Sequence, residues 1–458
     1  MSDIDNNLHI DDLEQPVVIP TEAYISPEYA RAESEKLWRK VWLQAGREED
    51  LPEVGDFLTF DVGVDTILIT RPAADTIKAF HNVCPHRGRR LVDTPAGQHN
   101  AKGRRNQFIC AYHGWRFNQD GENTHVPEKQ DWQGALDNGC ADLASVKCET
   151  WGGWIWINMD PDCEPLKDFL EPVTTMLDPF QLQNMRVRWR KWGIFDCNWK
   201  VAMEAFNETY HVQTTHPEFN RYGNFRGWAR AQGERGLHSN IGYDTPKDMD
   251  ENQSAKLRVG TTADPRITTA ELQNYTWENA NTNTTQTLVD AANRLKDELP
   301  EGTPAGEVLM HWLKTAREDD AAKGVIWPEV EPAHVGKSGT AWQIFPNFQI
   351  GHAVNNMLCY SARPYGNDPD KCIFEGAVYQ LFPEGEEPKA EWEYCEATAE
   401  AWCYVLGQDF SNMAAVQQGM KSAGFMGPRP NPYMERATAN LHRNLANYMG
   451  AGAPRKLK

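Results

Sequence analysis

His81-Asn-Val-Cys84-Pro-His86-Arg-Gly88-Arg-Arg-Leu91 and Phe108-Ile-Cys110-Ala-Tyr-His113-Gly114-Trp115 decide how the first part of the chain is read. Each stretch offers one Cys and one His within a few residues, so each reads as a single hairpin tip carrying two metal ligands. Structural zinc sites usually pair Cys with Cys before His with His, and the mixed order here departs from that. A two-iron cluster explains it better, with thiolates of Cys84 and Cys110 on one iron and imidazoles of His86 and His113 on the other. Replacing two anionic thiolates by neutral imidazoles removes negative charge and raises the potential above that of an all-Cys cluster. Gly88 and Gly114 permit close backbone approach, and nearby amides can donate to the sulfurs.

Working outward, short β-type runs at Phe57–Phe60, Thr66–Thr70 and Thr76–Val83 are separated by Gly, Pro and Asp, and Trp151-Gly-Gly-Trp-Ile-Trp-Ile-Asn158 supplies another aromatic strand. Residues 51–165 are therefore expected to form a small all-β domain, with Asp160-Pro161-Asp162 and Glu164-Pro165 as its exit linker. Upstream, residues 1–50 read as a loosely docked arm followed by one amphipathic helix. That helix starts at Ser26-Pro27-Glu28 and runs to Trp42, with Ala30, Leu37 and Val41 near one face. Downstream, residues 166–458 mix helical and β-type texture: a helix across Trp199 to His211, strands between Ala341 and Phe382, and helix again from Glu391 to about Lys421. The polar stretch at about 232–335, with helical pieces at Leu288–Leu299 and Ala305–Ala316, reads as an insertion that covers a site or as a solvated excursion. The fold class is α+β: a small all-β domain, then a larger domain with an antiparallel sheet flanked by helices.

The chain has 458 residues, enough for two or three domains. Its 65 Asp plus Glu against 46 Lys plus Arg leave a formal charge of −19, which argues against a broadly basic nucleic-acid binder. No apolar run approaches the roughly 18 residues of a membrane span, and the acidic N-terminus does not read as a signal peptide, so a cytoplasmic protein is expected. Of the 10 Cys, the eight outside the two tips show no pairing with His and read as ordinary packing residues.

A second dense stretch is Asn198-Trp-Lys-Val-Ala-Met-Glu204-Ala-Phe-Asn-Glu208-Thr-Tyr-His211-Val-Gln-Thr-Thr-His216-Pro217. Helical phase puts Glu204, Glu208 and His211 on one face, and Pro217 ends the helix where the backbone can turn His216 back toward His211. Two His and one carboxylate with open positions suit a non-haem Fe(II) site that activates O2.

Together the two constellations resemble the Rieske non-haem iron oxygenase large (alpha) subunits, over about residues 35 to 425 apart from the polar insertion. The Cys-x-His and Cys-x-x-His signature stands at 84, 86, 110 and 113, and the acid, Tyr-His and second His stand at 208, 210, 211 and 216. The resemblance implies a Rieske [2Fe-2S] cluster and a mononuclear Fe(II). It also implies a third iron ligand on a C-terminal helix, which Leu406-Gly-Gln-Asp409-Phe offers as Asp409, with Glu396 and Glu400 as fallbacks. By the same likeness Glu208 is a bridge, linking a cluster His of one subunit to an iron-ligand His of the next. Many ring dioxygenases place Asp there, whereas Glu at this spacing also occurs in members acting on alkylammonium compounds; Ala205 stands where Asn is usual.

The implied activity is that of a terminal oxygenase component hydroxylating an organic substrate, with an aromatic or other hydrophobic ring expected. An alkylammonium or aliphatic substrate is the alternative, and a non-enzymatic [2Fe-2S] carrier or redox sensor is the reading of a different class. No G-x-G-x-x-G fingerprint follows a strand, so a separate NAD(P)H-dependent flavin reductase, with or without a ferredoxin, is the expected electron source. A homotrimer is expected, with or without a small beta subunit. Arg87, Arg89, Arg90, Arg104 and Arg105 form a basic cluster that could dock an acidic carrier or satisfy local carboxylates. Phe206, Phe345, Phe348 and Trp402 are candidate pocket liners.

Overall fold

The computed structural model describes residues 13–223, 226–244 and 264–457. Residues 1–12 of the expected arm and 245–263 of the expected insertion lie outside the described residues. The chain divides into two compact units, residues 31–169 with 364–367, and residues 1–30, 170–363 and 368–458.

In the smaller unit, seven strands form one sheet: β1 (Leu43–Arg47), β2 (Asp56–Val62), β3 (Asp65–Ala73), β4 (Thr76–His81), β5 (Lys102–Arg104), β9 (Ser145–Trp151) and β10 (Trp154–Asn158). Their order is β1-β10-β9-β4-β3-β2-β5. A second, three-stranded sheet joins β6 (Phe108–Ile109), β7 (Arg116–Phe117) and β8 (Asn123–His125). All five residues of β10 are buried, so its Trp-Ile-Trp-Ile run has both faces covered. Phe57, Leu68, Phe80, Phe108, Trp115 and Phe117 pack in one cluster around Cys84 and Cys110.

Two boundaries differ from expectation. The helix entering this unit ends at Trp38, not Trp42. The following residues Leu43–Arg47 pair with β10, so the β unit starts well before residue 51. Nor is the arm loose from Leu13 onward: Leu13, Val17 and Ile19 are buried, and Val17–Val18 pairs with Arg455–Lys456. Burying three aliphatic side chains offsets the entropy of ordering the segment.

In the larger unit, eight strands form one sheet: β11 (Arg186–Phe195), β12 (Gly227–Gln232), β13 (His238–Tyr243), β14 (Ala341–Ile344), β15 (Phe348–His352), β16 (Asn356–Tyr365), β17 (Asp368–Gln380) and β18 (Trp392–Tyr394). The order is β12-β13-β14-β15-β16-β17-β11-β18. The ladders are antiparallel except that β18 runs parallel to β11. Helices α1 (Trp199–Glu204), α2 (Val212–Thr215), α3 (Pro265–Asn279), α4 (Gln286–Glu298), α5 (Ala305–Ala322), α6 (Tyr404–Met420) and α7 (Arg436–Met449) accompany it. The polar stretch is therefore not a single insertion. Its first part supplies β13, which pairs with β14 on one side and β12 on the other, and α3 to α5 follow. No helix among the described residues is long and apolar enough to cross a membrane.

Candidate cluster and iron sites

The two Cys-His tips are built alike. In each, the Cys carbonyl accepts the amide of the Gly four residues on, Gly88 to Cys84 and Gly114 to Cys110, both at 3.0 Å. Those glycines have φ of +76° and +74°, in the left-handed region where a side chain is strained. Cys84 and Cys110 are 1% and 2% exposed, whereas His113 is exposed. The His86 and His113 rings lie 4.5 Å apart, and Trp115 stacks on His86 at 4.9 Å and 5°. Burial pushes the Cys84 thiol up; the amides of His86 and Arg87 oppose this, while neighbouring Cys110 adds to it. The buried Nδ1 of His86 has no partner.

A single tetrahedral metal would gather its four donor atoms to within about 3.5 Å of one another. Among the described residues, the three-donor groups within 4.8 Å include only His211, His216 and Asp409, so the tip donors are not drawn to one centre. Two thiols together and two imidazoles together fit a two-iron cluster. Of the arginines nearby, Arg104 pairs with Asp56 at 2.8 Å and Arg89 with Asp93, while Arg105 covers the Phe57 ring. Local carboxylates thus satisfy part of that cluster.

In the larger unit, Asn198 caps α1 by accepting the Lys200 amide at 3.1 Å. The helix stops at Glu204, short of the expected His211. The cause lies in Glu208, whose Oε2 takes the backbone N–H groups of Tyr210 and His211 and so competes with a continuing helix. The chain re-forms one turn at α2, and Pro217 follows His216. Glu204, Glu208 and His211 therefore do not share a helical face. Glu204 turns instead to Tyr24 and His442, accepting from the Tyr24 hydroxyl at 2.9 Å and lying 2.7 Å from His442 Nε2.

His211, His216 and Asp409 converge as expected. Asp409 Oδ1 is 3.4 Å from His211 Nε2 and 3.0 Å from His216 Nε2. The far nitrogens are both engaged, His211 Nδ1 with Glu208 Oε1 at 2.6 Å and His216 Nδ1 with Gln408 Oε1 at 2.8 Å. With an acceptor oxygen at each Nδ1, the Nε2 atoms of both rings are left facing Asp409, and the three side chains together offer the donor set that a mononuclear iron would take. Burial alone would lower the His211 pKa, yet the Glu208 hydrogen bond and the Glu208 and Asp409 charges raise it overall. The fallbacks Glu396 and Glu400 lie ahead of α6, outside this group.

A family model of the ring hydroxylating alpha subunit (catalytic domain) matches residues 177–451, and one of the Rieske [2Fe-2S] domain matches residues 41–147. The chain belongs to the Rieske ring-hydroxylating oxygenase alpha-subunit family. A glycine betaine monooxygenase oxygenase subunit of Chromohalobacter salexigens is 30% identical over 200 residues, 44% of this chain and 43% of that one. The large oxygenase component of a naphthalene 1,2-dioxygenase system of Pseudomonas aeruginosa is 36% identical over 202 residues, 43% and 44% of the two chains. The matched stretch spans less than half of these relatives' length. In fold, a quaternary ammonium Rieske monooxygenase solved with L-carnitine superposes with a TM-score of 0.63 at 18% identity, covering 97% of this chain and 99% of that one. Naphthalene 1,2-dioxygenase with indole bound gives 0.62 at 17%, covering 98% and 96%.

Beside the triad, this alpha subunit has a cavity of about 460 Å³. Phe206, Val212, Phe219, Leu358, Tyr360 and Leu406 supply apolar wall, and α3 with the turn after it adds Leu272, Thr276 and Thr282. Part of the polar stretch thus does line the site. Of the four aromatic liners expected, only Phe206 borders this cavity. Alternation explains one miss: on β15 the residues facing Tyr360 and Leu358 are Gln349 and Gly351, so Phe348 faces the other side of the sheet. Phe345 stacks on Tyr448, and Trp402 packs with Phe374 and Phe410.

Sequence reasoning missed α7 and what it brings. A smaller cavity of about 220 Å³ brings Glu204, Glu208, Asp409 and Glu435 together with Arg429 in a lining that also includes Met413. Burial first, then the charges of Glu208 and Glu204, push the Glu435 carboxyl up to about 7. The run 436–449 does carry a helical pattern, with Ala437, Leu441, Leu445 and Met449 recurring every four residues on a buried face, and the sequence reading passed over it; neither Gln408 nor Glu218 belongs to any ligand pattern. The cysteines outside the tips form no disulfide among the described residues, and the Cys197 and Cys372 sulfurs lie 4.0 Å apart in the core.

Proposed function

We propose that this alpha subunit is the terminal component of an oxygenase that hydroxylates an aromatic or other hydrophobic ring compound. In this reading Cys84, His86, Cys110 and His113 hold the [2Fe-2S] cluster, and His211, His216 and Asp409 hold the iron. When bound, the cluster relays electrons and the iron activates O2 beside the substrate. Glu208 fixes the His211 tautomer and bridges toward a cluster His of a neighbouring subunit in a homotrimer. Electrons come from a separate NAD(P)H-dependent flavin reductase, with or without a ferredoxin.

The observation that carries the reading is a cavity, more apolar than polar, whose wall includes the three candidate iron ligands. The relative named for glycine betaine and the fold likeness to a carnitine enzyme favour a second reading, a quaternary ammonium substrate. Such a cation seeks open aromatic faces. Phe206 and Tyr360 instead stack on each other with centroids 4.0 Å apart, which spends one face of each and favours the ring compound.

Anaerobic iron and sulfide analysis with electron paramagnetic resonance tests the assignment. About three irons and two labile sulfides per chain are expected. Two irons would leave only a carrier, and zinc would remove both readings. His211→Ala is expected to lose the mononuclear iron and keep the cluster signal. O2 uptake with a supplied reductase, screened over ring and trimethylammonium compounds, separates the two substrate classes.

A further inference from the structure

His216 Nδ1 does not meet a carboxylate. It meets the Gln408 side-chain oxygen at 2.8 Å, and the Gln408 amide nitrogen donates to Glu218 Oε2 at 3.2 Å. The Tyr404 hydroxyl donates to the other oxygen of the same carboxylate at 3.1 Å. Tyr404 and Gln408 stand four residues apart on α6, so they share a face, and Glu218 follows Pro217 in the turn after His216. An amide alone could offer His216 either its oxygen or its nitrogen. Glu218 presents only acceptor oxygens to Gln408, so it takes the nitrogen end and leaves the oxygen for the imidazole. The first turns of α6 pack closely on the segment that precedes the helix. At Gly407 an added Cβ would lie 2.4 Å from the Ala399 Cβ.

We propose that Tyr404, Glu218 and Gln408 form a hydrogen-bond clamp that orients His216 and sets its donor strength, leaving one histidine of the triad backed by an amide and the other by a carboxylate. This rests on the reading of His211, His216 and Asp409 as the iron ligands. An anionic partner makes an imidazole a stronger donor than a neutral one does, so His211 and His216 are inequivalent ligands. Gln408 is a positioning residue, acting on the metal only through His216.

Cobalt(II) titration by calorimetry is the test, on the full chain with its cluster kept and the mononuclear site emptied by a chelator. Gln408→Met keeps the length and removes the acceptor; cobalt affinity is expected to fall about 10- to 100-fold. Gln408→Glu restores an acceptor and is expected to keep affinity within a few-fold of the parent, which separates hydrogen bonding from packing. The high-spin cobalt resonance is expected to change in Gln408→Met and to differ from the parent in Gln408→Glu as well, because a carboxylate there backs both histidines alike. Glu218→Ala frees the amide to flip, and affinity is expected to drop several-fold. Because the three act as one unit, adding Glu218→Ala to Gln408→Met is expected to change little more. Unchanged affinity in Gln408→Met, with the cluster spectrum intact, overturns the proposal; if that variant does not fold, unchanged affinity in Glu218→Ala overturns it. His216→Ala separates the two failures. Loss of binding there with a silent Gln408→Met sinks only the clamp, whereas retained binding sinks the triad.

Discussion

Glu208→Gln is the substitution whose outcome the geometry fixes most tightly. Three donors converge on this one carboxylate: His211 Nδ1 on Oε1 at 2.6 Å, and the amides of Tyr210 and His211 on Oε2. A carboxamide of the same shape keeps one acceptor oxygen. Its NH2 must then face either the imidazole N–H or the two backbone N–H groups, so at least one donor loses its acceptor. The Glu208 side chain is only 9% exposed, so water replaces little of the loss. A hydrogen bond to a charged group contributes about 1.5–3 kcal/mol, and about 1.4 kcal/mol corresponds to a factor of ten. Metal affinity at the triad is therefore expected to weaken by about 10- to 100-fold, with the site still filled at excess iron. Iron titration of the chelator-stripped protein reads the first effect. Rapid-mixing absorbance of the reduced cluster under substrate and O2 reads the second, slower cluster oxidation with both metals bound. Affinity within twofold of the parent together with unchanged single-turnover oxidation would refute both the tautomer argument and the bridge.

Three further outcomes follow from individual positions. Gly121→Ala places a Cβ 2.3 Å from a Phe80 ring carbon at φ +81°; combined overpacking and left-handed strain should cost roughly 2 kcal/mol or more, seen as a lower midpoint of thermal loss of the cluster chromophore. Leu358→Trp fills the cavity from β16, so iron and sulfide content should stay normal while substrate-dependent O2 uptake is lost; normal uptake with a ring substrate would show that the cavity is not the substrate site. Burial lowers the His352 pKa to about 4, so between about 6.5 and 4 the unfolded chain binds a proton that the folded one does not. Stability should therefore fall by up to about 3 kcal/mol as pH drops through that window, and urea midpoints of His352→Leu should show a flatter acid limb.

How far the sequence alone reached depended on what kind of signal each element carries. The Cys84, His86, Cys110 and His113 tips were legible because metal ligands leave type and spacing in the primary structure, and the flanking strands alternate or run apolar. The β10 strand was equally plain, since a short Trp-Ile-Trp-Ile run rich in aromatic and β-branched residues and preceded by two glycines favours a strand covered on both faces. The helix through Trp199 was overextended for a definite reason. Helical phase counts residues as if every side chain were neutral toward the backbone, while Glu208 captures two amides and breaks the helix. Asp409 needed family logic, because a lone Asp on α6 carries no pattern of its own. Gln408, Glu218 and Glu435 act through tertiary neighbours more than 180 residues away in sequence or across a turn, and no local window contains both partners. The substrate wall was the least legible part. Whether Phe348 or Gln349 faces the cavity depends on strand register, and a shift of one residue exchanges the two.

The triad stands between two unlike spaces, and that bears on how such a site can work. Glu208 and Asp409 border both the larger apolar cavity and the smaller one that holds Glu204 and Glu435. The larger is walled mainly by apolar side chains of the sheet and α3, whereas the smaller adds Glu204 and Glu435 to a lining of Val201, Met413, Val416 and Met420. Glu435, pushed up to about 7, gives the smaller space a group that can carry a proton near neutral pH. His211 and Glu208 join the two, because the imidazole turns Nε2 toward Asp409 while its Nδ1 is held by the carboxylate that faces Glu435. Substrate entry and the supply of charge therefore need not share a path. A substitution that enlarges the apolar side should change which compounds react, whereas one on the acidic side should change how fast charge arrives.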